Sequence, residues 1–420
     1  MLERRRFLLD WSANFASLGF LAISGILINS LVTKYYGAAA LGVFNQVFAV
    51  YILGAQLATA GVQYSVLRYV AVVGDDRALF TTIVYAAVAV GSVAATAIVA
   101  LTWLIFALVG TRIYSGAVVD GIFLMLPGLW CFAINKILLN ALNGLQFNRL
   151  FAAFTAARYA LMSVATVVAV AVGVQDYQLS LILSASEGLL LVALALAFLR
   201  LCRATGLLPA GEWVRNHFRF GLRSMLGGMA IELNTRVDVL VLGLFTNDTQ
   251  VGIYSFAAFF VEGLLQLPQL SRRIVDPVLT KLVANSDRDE LSAFLRRGRN
   301  LGAAFMLAVT VTSIALYPLV ATVLGDRAIA ERSWSVFVIL MIGAAVFGTY
   351  GTFGGLLSQA GLPVAQSQSN VLILITNAAL NIALVPTFGI NGAALATGAS
   401  FVLGTFYFRA LVARHLAVRF

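Results

Sequence analysis

The chain has 420 residues, of which 61% are hydrophobic and only 11% charged, and its mean hydropathy is +0.93. Soluble globular domains carry roughly 25% charged and 45–50% apolar residues, which excludes a single water-facing domain built on one core. The formal net charge of +10 does not point to nucleic acid, because the Lys and Arg residues are scattered among short polar segments.

Apolar runs of about 20 residues recur along the whole length, the pattern of serial membrane spans; a transmembrane β-barrel would alternate in segments of about 10. The pattern predicts an all-α integral membrane protein with spans near 10–33, 40–62, 79–109, 117–143, 150–173, 178–200, 218–245, 250–278, 300–324, 333–358, 366–386 and 390–412. The first run follows Met1 to Arg6 and is too long for the apolar region of a secretory signal. Twelve spans put both termini on the same side. With the termini cytoplasmic, the inside segments hold 20 Lys and Arg, and the outside segments hold four, Lys34, Arg112, Arg327 and Arg332. That excess is expected of a bacterial inner-membrane protein.

The longest polar connection, about 201–217, contains Pro209, Gly211, Glu212, Trp213 and Arg215, and suits a linker with a short interfacial helix. It divides the spans six and six, giving an N-terminal bundle over 1–205 and a C-terminal bundle over 206–420. Leu41-Gly42-Val43-Phe44 after the first span is echoed by Val251-Gly252-Ile253-Tyr254 after the seventh, an offset of 210 residues. Two six-helix bundles related by pseudo-two-fold symmetry, with a substrate site at their interface, are the expected architecture.

Catalytic signatures are missing from the sequence: it has no Walker sequence, metal-ligand cluster or nucleophile elbow. Cys131 and Cys202 have no metal-ligand spacing. The chain is therefore not expected to be an enzyme or to need a cofactor. Its chemistry is expected in the spans, where an ionisable group costs about 2.5–3.5 kcal/mol on insertion scales. The groups to explain are Lys136, Arg158, Glu187, Glu232, Arg236, Asp238 and Glu262.

Glu232 and Arg236 are four residues apart and suit mutual neutralisation, while Asp238 turns to another side of the helix, beside Asn234. Glu262, Gln266, Gln269 and Arg273 form a polar stripe on the eighth span, of the kind that faces a cavity or another helix. Lys136, Asn140 and Asn143 make a similar face on the fourth, and Arg158 can pair with Glu187 on the next helix. Pro127, Pro268, Pro277, Pro318 and the glycines 348, 351, 354 and 355 suit kinks and close packing. His217 and His415 fall at basic membrane edges and suit no proton relay.

Three segments resemble the polysaccharide or O-antigen flippases of the multidrug/oligosaccharidyl-lipid/polysaccharide exporter superfamily. These are 236–245 (RVDVLVLGLF) with 251–255 (VGIYS), 381–397 (NIALVPTFGINGAALAT), and Tyr36-Gly37 to Phe44. The resemblance implies a fold like that of the lipid II flippases and the efflux antiporters of the same superfamily. It also implies alternating-access transport of an undecaprenyl-pyrophosphate-linked oligosaccharide for O-antigen, capsule or exopolysaccharide synthesis, alongside a polymerase and chain-length proteins. An organic-cation efflux antiporter is the alternative. A pyrophosphate calls for fixed cations and a cationic drug for carboxylates and aromatics.

On this reading Lys136, Arg158, Arg236 and Arg273 are candidate ligands of the pyrophosphate, with Glu262 lining the same cavity. Lipid II flippases carry arginines in their first two spans, and this chain has none mid-membrane there. Asp238, Asn377, Asn381, Ala393 and Thr397 resemble the sodium site of those flippases, with Asn381 where they have an aspartate. Na⁺ or H⁺ is accordingly the expected coupling ion.

Overall fold

A computed structural model describes residues 2–73, 76–202, 210–285 and 288–418; side chains are described from residue 20 onward, except at 22, 226–228 and 231. The 205/206 boundary, the start of the expected linker and Arg419 lie outside the described residues. By its internal contacts the chain forms two compact units, Met1–Glu232 and Leu233–Phe420.

The first unit holds α1 (Leu2–Ala58), α2 (Val62–Val70), α3 (Arg77–Ile105), α4 (Thr111–Ile113), α5 (Gly116–Gly144), α6 (Asn148–Val172), α7 (Leu181–Leu201) and most of α8 (Gly211–Asn234). The second holds α9 (Val237–Phe245), α10 (Asp248–Ala284), α11 (Arg288–Leu324), α12 (Arg327–Gly351), α13 (Leu356–Gln359) and α14 (Pro363–Leu416). Among the described residues nine helical stretches are long and apolar enough to cross a membrane. Two of these, in α1 and α14, are hairpins with two arms each, and α8 with α9 adds a broken path, which brings the total to about twelve.

Each hairpin reverses at one glycine. Gly37 has φ 83° and ψ 179°, and Gly389 has φ 56° and ψ −131°; both lie in positive-φ territory that side chains disfavour. The arms are antiparallel neighbours: Asn45 Nδ2 donates to Asn29 Oδ1 at 3.4 Å, and Thr376 Oγ1 and Tyr407 Oη are 3.2 Å apart. These reversals join the arms without a separate loop.

In the first unit α5 is packed against α1, α2, α3, α6 and α7. Pro127 deprives its ladder of one N–H, and Ser184 of α7 mends the ladder alongside. The Gly128 N–H donates to Ser184 Oγ at 3.0 Å, and that hydroxyl donates to the Leu124 carbonyl at 2.7 Å. This is the inserted side chain that proline kinks in membranes call for. Gly128 is obligatory here, since a Cβ would stand 2.7 Å from the Ser184 Cα. In the second unit Gly343 of α12 meets Gly398 of α14, where a Cβ would lie 2.5 Å from the facing Cα. Both are small-residue contacts that let membrane helices approach closely.

The N-terminal half of α8 belongs to the first unit. His217 is fully buried, with Nδ1 2.7 Å from Ser65 Oγ and Nε2 3.1 Å from the Ile83 carbonyl. The carbonyl can only accept, so Nε2 carries the proton toward it, and the Ser65 hydroxyl is shared between Nδ1 and the Val62 carbonyl at 2.8 Å. Trp213 and Phe220 pack on Tyr69, and Gly221 touches the backbone of Ala60 and Gly61. His217 is therefore an anchor inside the protein rather than a solvated edge residue.

Candidate functional site

The path of the seventh span is interrupted at Thr235 and Arg236, between α8 and α9. The i,i+4 relation expected of Glu232 and Arg236 therefore does not follow one continuous helix; Arg236 Nη2 lies 3.5 Å from Glu262 Oε2 on α10. The interruption also starts a new helix at Val237 with Asp238 in its first turn, where a carboxylate is favoured by the unpaired N–H groups.

Asp238 is buried, and both its oxygens are engaged. Oδ1 accepts from the Val239 N–H at 2.8 Å, and Oδ2 accepts from the Tyr254 hydroxyl and, at 3.5 Å, from Thr397 Oγ1. Thr397 Oγ1 is also 3.4 Å from Asn377 Oδ1. Asn381 Nδ2 donates to the carbonyl and side-chain oxygens of Asn377 at 2.9 and 2.8 Å, and Asn377 Nδ2 donates to Asn234 Oδ1 at 3.2 Å. Asn377, Asn381 and Ala393 are fully buried.

The structure thus brings Asp238, Asn377, Asn381 and Thr397 into one connected network and adds Tyr254 and Asn234 to it. Tyr254 is the last residue of the Val251-Gly252-Ile253-Tyr254 motif, and nothing in the spacing of the two residues announced its contact with Asp238. Asn381 Oδ1 is buried with no hydrogen-bond partner. The carboxylate of Asp238, the Thr397 hydroxyl and the Asn377 amide oxygen adjoin one another, and a second amide oxygen on neighbouring Asn381 is left without a donor, a set of oxygens of the type a small hard cation takes. Ala393 can add only its carbonyl. Among the described residues no three His, Cys, Asp or Glu side chains form a metal cluster.

The first unit has its own polar cluster. Arg158 Nε of α6 lies 2.7 Å from Glu187 Oε1 of α7, and Asn135 of α5 donates to Glu187 Oε2 at 2.8 Å. The Arg158 guanidinium sits 4.4 Å over the Phe132 ring, and Lys136 Nζ is 5.6 Å from the same ring. Lys136 and Arg158 therefore both lie against the Phe132 ring. Arg158 Nη2, Tyr51 Oη and Asn135 Oδ1 are buried without partners. Arg273 of α10 is exposed, as are Gln266 and Gln269 of its stripe, and Glu262 is half-buried.

These features define an all-helical membrane protein with the fold of the superfamily that includes lipid II flippases and multidrug efflux transporters. The structure is similar to a lipid II flippase, MurJ, in an inward closed conformation, with a TM-score of 0.76, 15% identity, and coverage of 97% of this chain and 87% of that one. It is also similar to an inward-facing MATE-family multidrug transporter, with a TM-score of 0.74, 12% identity, and coverage of 96% and 98%. Residues 7–270, more than half of the chain, match the family described as polysaccharide biosynthesis protein, and the chain belongs to that family.

Two relatives come from the archaeon Haloferax volcanii. The probable flippase AglR is 26% identical over 173 residues, 40% of this chain and 36% of its own. The probable low-salt glycan biosynthesis flippase Agl15 is 20% identical over 214 residues, 50% and 45%. The chain spans less than half the length of these curated relatives.

Proposed function

We propose that the chain is a flippase that moves a polyprenyl-pyrophosphate-linked oligosaccharide across a bacterial inner membrane by alternating access, for O-antigen, capsule or exopolysaccharide synthesis. The observation that carries this reading is the unequal satisfaction of charges in the first unit. Both oxygens of Glu187 have partners, whereas Arg158 Nη2 is a charged donor without an acceptor. Beside one unpaired amide oxygen, Asn135 Oδ1, the charge left over in the cluster is cationic, from Arg158 and neighbouring Lys136, which suits a phosphate better than an organic cation. Glycan flippases among the relatives support the same cargo class. Arg236, Arg273 and Glu262 in the second unit are the remaining candidate contacts. A polymerase and chain-length proteins are the natural consumers of the product.

Coupling is assigned to the Asp238 network. Na⁺ bound there would supply a positive charge that draws the Asp238, Asn377, Asn381 and Thr397 oxygens together. Proton uptake by Asp238 is the second reading, favoured by the single carboxylate in the set. In either case Tyr254 holds the carboxylate toward α14.

Transport in proteoliposomes tests both parts. Lipid-linked oligosaccharide is expected to be translocated, and the combined Lys136, Arg158, Arg236 and Arg273 neutral variant to lose most of that rate. Full activity in the four single variants and the quadruple variant, or transport of organic cations instead, overturns the cargo. Wild-type rate is expected to vary with Na⁺ or pH and Asp238→Asn to remove that dependence; an unaltered dependence in the mutant overturns the coupling site.

A further inference from the structure

Helix α8 turns three faces outward from its axis between Gly211 and Arg223. Trp213, His217, Phe220 and Gly221 meet α2 and α3. Val214, Phe218 and Leu222, four residues apart, are 39%, 57% and 51% exposed. Arg215, Arg219 and Arg223, one position further round, are exposed as well. None of the three has an ion-pair or hydrogen-bond partner among the described residues. Exposed Arg68 of α2 lies 5.2 Å over the Phe220 ring and adds a fourth cation beside them. The single acid in 211–225 is Glu212.

The position along the span fixes what this row can meet. Arg215, Arg219 and Arg223 lie in the N-terminal part of α8, which begins in the longest polar connection of the chain, and basic residues at such a span end meet the headgroup layer. Helical side chains lean toward the N-terminus, so all three guanidinium groups are carried outward, away from the hydrocarbon. The row is about 12 Å long. Like charges at four-residue spacing repel on a helix, and an external anion relieves that repulsion.

We propose that Arg215, Arg219 and Arg223, with Arg68 beside them, form a docking strip for the headgroups of anionic glycerophospholipids. Val214, Phe218 and Leu222 seat the strip against the adjoining acyl chains. Arginine forks bind phosphate oxygens in pairs, and a basic row at this depth is attracted to anionic lipid. The clasp of His217 on Ser65 and Ile83 holds the helix at a fixed rotation, so the row presents a constant face. The strip is separate from the cargo contacts, and its test needs no transport.

The full chain, purified and placed in nanodiscs of phosphatidylcholine with or without phosphatidylglycerol, is delipidated stepwise and followed by native mass spectrometry and thermal unfolding. Wild type is expected to retain phosphatidylglycerol and to melt higher in its presence. The triple variant R215Q/R219Q/R223Q is expected to retain at least fivefold less and to lose most of the shift, while R215K/R219K/R223K keeps both. Wild-type retention in the glutamine variant, or equal loss in either the lysine variant or the remote control R296Q/R297Q, overturns the strip. Displacement of phosphatidylglycerol by an equal amount of polyprenyl diphosphate also overturns it, since the strip would then be a carrier site.

Discussion

Glu187 and Arg158 are 2% and 11% exposed at their side chains, so each depends on the other for its charge. Removing one partner of a buried pair costs about 3–5 kcal/mol, whereas replacing both with apolar groups is often neutral. Glu187→Gln is therefore expected to lower the thermal midpoint in detergent sharply, and Arg158→Met with Glu187→Leu to restore most of it. A midpoint unmoved by Glu187→Gln would mean that the pair is not formed. The pairing was legible in the sequence because both residues are isolated charges in neighbouring spans. The pairing of Arg236 with Glu262 was not, because nothing at Thr235 and Arg236, neither Pro nor Gly, announces a helix break.

His217 carries a pH signature. Burial pushes its imidazole from 6.5 down to about 4, so the folded protein stays unprotonated there while the unfolded chain takes up a proton. Stability is expected to fall as pH drops from about 6.5 toward 4, by up to about 3 kcal/mol for the full shift. His217→Gln, which keeps a donor and an acceptor, is expected to flatten that slope in thermal unfolding across pH. An identical slope in the variant would assign the loss to other groups. This burial was not legible in advance, since a histidine flanked by Arg215 and Arg219 reads as a basic membrane edge.

At the scale of elements, the two glycine reversals differ in kind from the glycine contacts. A Cβ at Gly37 meets nothing within 4 Å, so its cost is confined to the backbone. Gly37→Ala is expected to cost about 1–3 kcal/mol through conformation alone. Gly128→Ala meets backbone atoms of Ser184 instead, which no side-chain truncation removes, and is expected to lower the thermal midpoint by more than Gly37→Ala. Thermal unfolding of the two variants distinguishes the cases; equal losses would mean that α5 and α7 part without cost. The helices themselves were readable from their apolar runs. The extra length of α10 and α11, 37 residues each or about 55 Å, was not, because their basic ends look like loops to a hydropathy reading.

At the scale of the molecule, the expected even number of crossings and the Lys and Arg asymmetry call for an orientation that labelling can check. With Cys131 and Cys202 replaced, cysteines introduced at exposed Ser115 and Arg327 are expected to react with an impermeant thiol reagent added outside intact cells. Those at Arg149 and Asn285 are expected to react only after lysis. The reverse pattern would invert the topology, and a mixed pattern would overturn the even count. The count was legible because each span carries its own apolar signal, although two pairs of spans are joined by hardly more than a glycine. The Asp238 network was legible in part: Asn377, Asn381 and Thr397 share helical faces, but Tyr254 reaches it through the fold alone.

A bend made at Gly389 has no slack. Its two arms carry Asn377 and Asn381 on one side and Thr397 on the other, hydrogen-bonded across the gap, so they behave as a stiff lever with a short fulcrum. Whatever draws the oxygens around Asp238 closer, by even a fraction of an ångström, must tilt both arms together, and the far ends of α14 travel further than the site that moved them.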